Sequence, residues 1–179
     1  MAIKNFSSVG GFAVGSTEVL NTEFELKNIS AIHMVSDNFS DATNDLYIAK
    51  RTTDPANTVL RLSLDGSTNI ATNTPSLGHN SVAFIKAKIF GQEANDNTYI
   101  LAGIDESVVT VDASGVPTLQ GSYKTVIHEH LPGIETWDYT PVAFQIGAAA
   151  FFSYDVETVT NTSTVKWLAM IEITNVTSA

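Results

Sequence analysis

His128-Glu129-His130 is the one place in the chain where metal-ligand residue types stand close together. In a strand the two imidazoles project from one face about 7 Å apart, so spacing alone does not close both on one ion. Three chains around a threefold axis would bring six imidazoles to one centre, a set suited to iron, nickel or zinc. Two ordinary histidines on a half-exposed strand face are the simpler reading, and the plain composition around them favours it. Asp37, Asp41 and Asp45, with Asn38 and Asn44 between them, offer the hard oxygen ligands that calcium takes. The spacing, central Gly and terminal Glu of an EF-hand loop are missing, however, so a solvated acidic loop is expected and no metal is assigned.

Hydrolytic chemistry needs two carboxylates facing across a cleft, or a Ser/His/acid set. Asp105, Glu106, Glu129, Glu135 and Asp138 are candidates by type, yet most fall where turns are expected and acids are common. No nucleophile elbow, phosphate loop or HExxH segment occurs. No catalytic residue, cofactor or enzymatic activity is therefore assigned. Tyr123, Trp137 and Tyr139 form an alternative ligand platform on which a sugar ring could stack. The competing reading is that these aromatics pin a turn to the core through their large buried area, and it is preferred.

The elements that must carry these residues read as strands. Phe24 and Leu26 alternate with Glu23, Glu25 and Lys27, and Leu60, Leu62 and Leu64 with Val59, Arg61 and Ser63. Ala83, Ile85, Ala87 and Ile89 share one face of the run from Ser81 to Phe90, with Val82, Phe84, Lys86, Lys88 and Phe90 on the other. Shorter strands are expected at Tyr99–Ile104 and Val108–Val111, separated by an Asp105-Glu106 turn. Tyr123 to Leu131, Val142 to Ile146 and Val165 to Ile173 complete the pattern. Asp65-Gly66 and Asp112-Ala-Ser-Gly115 supply turn chemistry. Ser36–Asp45 and Ile70–Asn80, dense in Ser, Thr, Asn, Asp and Gly, are expected to be long loops. About eight to ten short strands roughly ten residues apart, with no sustained helical period, predict an all-β antiparallel sandwich, jelly-roll-like, in a single domain.

The chain has 179 residues, enough for one buried core. Residues 17–179 are assigned to the sandwich and residues 1–16 to an N-terminal arm. Phe6, Val9, Phe12 and Val14 stand isolated among Gly and Ser in that arm and are expected to draw order from a neighbouring subunit. Hydrophobic residues make up 44% of the chain and charged ones only 16%, with a net charge of −10 and nine Lys and Arg. Too few cations are present to neutralise a nucleic-acid backbone or an anionic membrane, so neither is an expected partner. The absence of cysteine removes disulfides, thiol catalysis and Cys-based zinc sites. The opening residues lack a sustained apolar core, so neither a secretory signal nor a spanning helix is expected, and the Asn-x-Ser/Thr triplets carry no glycosylation meaning.

Gly133-Ile-Glu-Thr-Trp137-Asp, followed by Phe151-Phe-Ser-Tyr-Asp-Val156 and Thr164-Val-Lys-Trp-Leu-Ala-Met-Ile-Glu-Ile173, resembles the C-terminal β-domain of virion structural proteins of tailed bacteriophages. These are the appendage, fibre and head-decoration proteins, and the domain is cyanophage-like. Met1 to Gly15 resembles the opening of such proteins. The likeness covers about Phe84 to Thr174, and Phe144 to Ala150 departs from it by being more apolar. It implies a non-enzymatic structural sandwich located in the virion, assembled in the host cytoplasm on itself and on other virion proteins. No catalytic residues come with the family. The apolar positions Val82, Phe84 and Phe90 further predict a homo-oligomer, expected to be a trimer. A receptor- or carbohydrate-binding β-module is the alternative.

Overall fold

The structure, a computed structural model, describes residues 12–14, 17–20, 31–36, 39–70, 73–160 and 162–178. The chain divides into two units, 1–30 and 31–179. In the first, β1 (Phe12–Val14) pairs antiparallel with β2 (Thr17–Leu20). Phe6, Val9 and the alternation at 23–27 lie outside the described residues, as do the side chains of Phe12 and Val14.

The second unit is built from β3 (Ala31–Ser36), β4 (Phe39–Thr53), β5 (Val59–Arg61), β6 (Ser76–Leu77), β7 (Ser81–Glu93), β8 (Ile100–Val111), β9 (Pro117–His130), β10 (Thr136–Ile146), β11 (Ala149–Val159) and β12 (Val165–Thr177). All pairings are antiparallel, and the described residues contain no helix. One sheet has the order β3-β4-β12-β7-β8-β9, and the other has β10-β11-β5 with β6 also on β11. Sequence alternation maps directly onto this arrangement. Ala83, Ile85, Ala87 and Ile89 of β7 are buried, as are Val165, Trp167, Ala169, Ile171 and Ile173 of β12, while the residues between them face outward.

A single hydrophobic cluster draws on both sheets. Trp137 of β10 meets Trp167 of β12 edge-on at 6.1 Å, and Phe152 and Tyr154 of β11 fill the middle. Each such side chain contributes about 1.5–3 kcal/mol by leaving water, which makes this inter-sheet layer the dominant stabilising feature. The Trp167 ring lies so close to β7 that a Cβ at position 91 would stand 2.8 Å from it, which is why Gly91 interrupts an otherwise side-chain-rich strand.

Two expectations about local structure are corrected. Ser36–Asp45 is not a loop: β3 ends at Ser36 and β4 starts at Phe39, running unbroken through Asp45. Pairing along β12 from Ala42 to Thr53 supplies the ladder hydrogen bonds that outweigh the turn preference of Asn and Asp. Asp105-Glu106 is not a turn either, because β7 and β9 flank β8 on both sides and hold it extended from Ile100 to Val111. The strands are accordingly longer than the short runs expected, several having 11 to 15 residues.

Other turns match their chemistry. Asp112 accepts hydrogen bonds from the backbone N–H groups of Ser114 and Val116, both at 2.8 Å, and closes the β8–β9 connection. Ile146 and Ala149 pair across a two-residue hairpin with Gly147 at φ 62°, so the apolar Phe144–Ala150 stretch is two paired strand ends. Ile70–Asn80 is largely irregular in its described part, with only β6 as strand.

Candidate functional site

Chemistry-bearing residues fall in three places: the layer between the sheets, the β9 edge, and the outer face of the six-stranded sheet. Of the acids that the sequence singles out, Asp105 and Glu135 are buried, whereas Glu129 and Asp138 are exposed and Glu106 lies on the outer face of the large sheet. Asp105 is fully buried, with its Oδ2 accepting from Ser107 Oγ at 2.7 Å and Tyr154 Oη at 3.4 Å. Burial pushes its carboxyl above the usual carboxylate range, against the lowering effect of those hydrogen bonds and of Lys124. The same layer pushes the Tyr139 phenol up to about 12, through burial first and the Asp105 charge second.

Glu135 sits in the Gly133–Trp137 turn and is almost wholly buried. Trp137 Nε1–H donates to it at 3.0 Å, and the Thr162 N–H, Thr162 hydroxyl and Ser163 hydroxyl donate at 2.8, 2.9 and 3.1 Å. Burial pushes the carboxyl up, but the four donors together outweigh it and hold it below its ordinary value. Glu135 therefore fastens one turn to another. Asp138 is ion-paired with Lys124, and Glu106 with Lys86 at 3.1 Å.

Trp137 and Tyr139 do not form a ligand platform with Tyr123. Both are buried between the sheets, Tyr139 meeting Tyr154 edge-on at 6.4 Å, while Tyr123 is 70% exposed on β9. Strand alternation explains the outcome: positions 137 and 139 share the inward parity of β10, where large aromatic area is best buried. On β9, His128 and His130 are exposed, and a bulge near Ile127 sets them beside Ala102 and Ile100. His130 Nδ1 is 2.9 Å from the Thr98 carbonyl oxygen, and its ring packs against Tyr99. Asp41 and Asp45 lie on β4, Asp45 being hydrogen-bonded to His33, whereas Asp37 lies outside the described residues. Among the described residues no three His, Asp or Glu converge to hold a metal.

On the outer face of the large sheet several apolar groups remain uncovered. Val82 and Phe84 are 48% and 47% exposed, and Val176 of β12 lies directly beside Val82. A charged row of Glu172, Lys86 and Glu106 crosses the sheet next. Beyond it Phe90, Leu168, Met170, Ile104 and Ile127 line a groove of about 330 Å3. Phe90 thus belongs to a different apolar zone from Val82 and Phe84.

Sharing Phe90 and Leu168 with that groove is a larger one of about 820 Å3, across β4, β12 and β7 and bounded by the Asp65-Gly66 turn. Lys50, Arg51 and Lys166 all line it. Sequence reasoning missed these cations, which are 116 positions apart at their extremes and brought together by the β4–β12 register of Lys50 with Leu168 and Thr52 with Lys166. The outward parity of Lys50 and Lys166 was readable in the sequence, but their adjacency depends on strand order.

No family model matches the chain, and no curated protein matches it at a significant level. Among solved structures it is similar to the tailspike protein gp49 from Acinetobacter baumannii bacteriophage Fri1, a capsular polysaccharide depolymerase. That likeness has a TM-score of 0.44 at 16% identity, over 81% of this chain and 19% of that one. It is also similar to the tailspike protein of Acinetobacter baumannii phage AM24, with a TM-score of 0.35 at 13% identity over 77% of this chain and 26% of that one. The chain thus spans about a fifth to a quarter of the length of these tailspikes.

Proposed function

We propose that the protein is a non-enzymatic structural component of a tailed-phage virion, acting through contacts between subunits and with other virion proteins. The observation that carries this reading is the half-exposed Val82, Phe84 and Val176 cluster on a regular sheet face. Apolar side chains gathered on a flat face gain most when a second flat face covers them, and symmetric self-association is the common route. The family resemblance of the Gly133–Ile173 segments gives the setting. Burial of Asp105 and Glu135 and pairing of Asp138 and Glu106 agree with a structural role for these acids.

The partner at this face is a second copy of the chain, in a homotrimer, with the Phe90 end of the sheet left open. Sedimentation velocity should give a trimer that Phe84→Glu dissociates without changing the far-ultraviolet dichroism. A monomer at high concentration would overturn the self-association. Electron microscopy of purified particles, with the protein tagged, should locate it on the virion, and its absence from particles would overturn the setting.

A further inference from the structure

We infer that the groove across β4, β12 and β7 binds an acidic saccharide. Lys50 and Lys166, two of the nine Lys and Arg in the chain, face it from the outer side of the sheet, and Arg51, of inward parity on β4, also lines it, in a molecule whose net charge is −10. Among the described residues none of the three is ion-paired with a carboxylate. The acid on the rim, Asp65, is engaged by its own turn: it accepts from the Ser67 N–H at 2.8 Å and the Asn73 amide at 2.9 Å. Arg51 donates to the Gly66 carbonyl at 2.9 Å, which fixes the turn beside the opening. A local excess of positive charge on an acidic protein draws an anion to this one place.

The ligand class follows from the other groups in the lining. Phe90 and Leu168 form an apolar floor, and Asn57, Thr68 and Gln92 surround it with amide and hydroxyl groups. At about 820 Å3 the groove is in the size range of small-molecule sites and far exceeds what a lone inorganic anion fills. A saccharide bearing carboxylates has an apolar ring face for the floor, hydroxyls for the amides and charge for the ammonium groups. An acidic peptide fits less well. Peptides dock on sheets mainly through free strand edges, and β12 is paired on both sides, by β4 and β7, so its backbone groups are already used. A polyanionic nucleic acid would run beyond the groove onto an acidic surface.

Ligand capture here does not require self-association, because the Val82–Phe84 zone lies across the charged row from Phe90. The test is calorimetric titration of the full chain with trigalacturonate at low ionic strength. Saturable binding is expected, weakened at least about tenfold in Lys50→Gln/Lys166→Gln and unchanged in Lys86→Gln, a charge loss outside the groove on the same face. Maltotriose, of similar size but neutral, should bind at least about tenfold more weakly than trigalacturonate. No saturable binding of trigalacturonate would overturn the inference. An unchanged affinity in the double variant, or an equal loss in Lys86→Gln, would overturn the site. Equal binding of maltotriose would overturn the role of charge, and equal binding of tetraglutamate would overturn the saccharide class.

Discussion

Two buried carboxylates respond to pH in opposite directions. Asp105 titrates above its ordinary range because burial disfavours its charge, so it supports the fold fully below the unfolded-state carboxylate value and ceases to as pH rises through the raised folded-state value. Asp105→Asn should remove that part of the slope, measured as the urea midpoint against pH. An unaltered profile would show that Asp105 is not the source. Glu135 titrates below its ordinary range, so its contribution is present above the unfolded-state value and is lost as pH falls through the folded-state one. With four donors aimed at one carboxylate, Glu135→Gln should cost about 1–3 kcal/mol near neutral pH, because at least one amide hydrogen then faces a donor. A urea midpoint within error of the parent chain would refute the anchoring role.

Strands β8, β9 and β10 meet at Gly103, where a Cβ would stand 2.0 Å from Tyr139 Oη and 2.9 Å from the Thr125 carbonyl oxygen. Gly103→Ala should therefore destabilise the protein by about 1–3 kcal/mol. Adding Tyr139→Phe should recover part of the loss by removing the hydroxyl, which a double-mutant cycle measures. Strictly additive losses would mean that the close approach is relieved elsewhere. Elements of this kind differ in how legible they are. The β7 and β12 alternation was readable because each strand is buried on one side and wet on the other, so residue type follows parity. Asp105 and Asp45 misled for a common reason: carboxylates mark turns by local preference, while here pairing on both flanks decides the backbone and a specific partner holds the side chain. The Lys50, Arg51 and Lys166 groove was illegible because strand order, which brings β4 beside β12, is a long-range property. Trp137 and Tyr139 stand at the inward parity of β10, where large aromatics gain more from burial than from display.

At the scale of the whole molecule, the chain divides into a first unit of residues 1–30 and a second of residues 31–179. Among the described residues, the buried cluster of the second unit runs from Ala49 to Ile173. Phe6, Val9, Phe12 and Val14 stand among Gly10, Gly11 and Gly15, and Phe12–Val14 makes only a short hairpin with Thr17–Leu20. Under the virion reading, those groups pack against a neighbouring subunit and the arm acts in assembly, not in folding. Deleting residues 2–16 should then change the stability of the 31–179 unit by no more than about 0.5 kcal/mol, the range of substitutions away from a core. Incorporation into particles, scored by competition between tagged truncated and full-length chains, should fall several-fold. Equal incorporation of the two chains would show that the arm plays no part in docking. A large loss of sandwich stability would show instead that residues 2–16 belong to the fold.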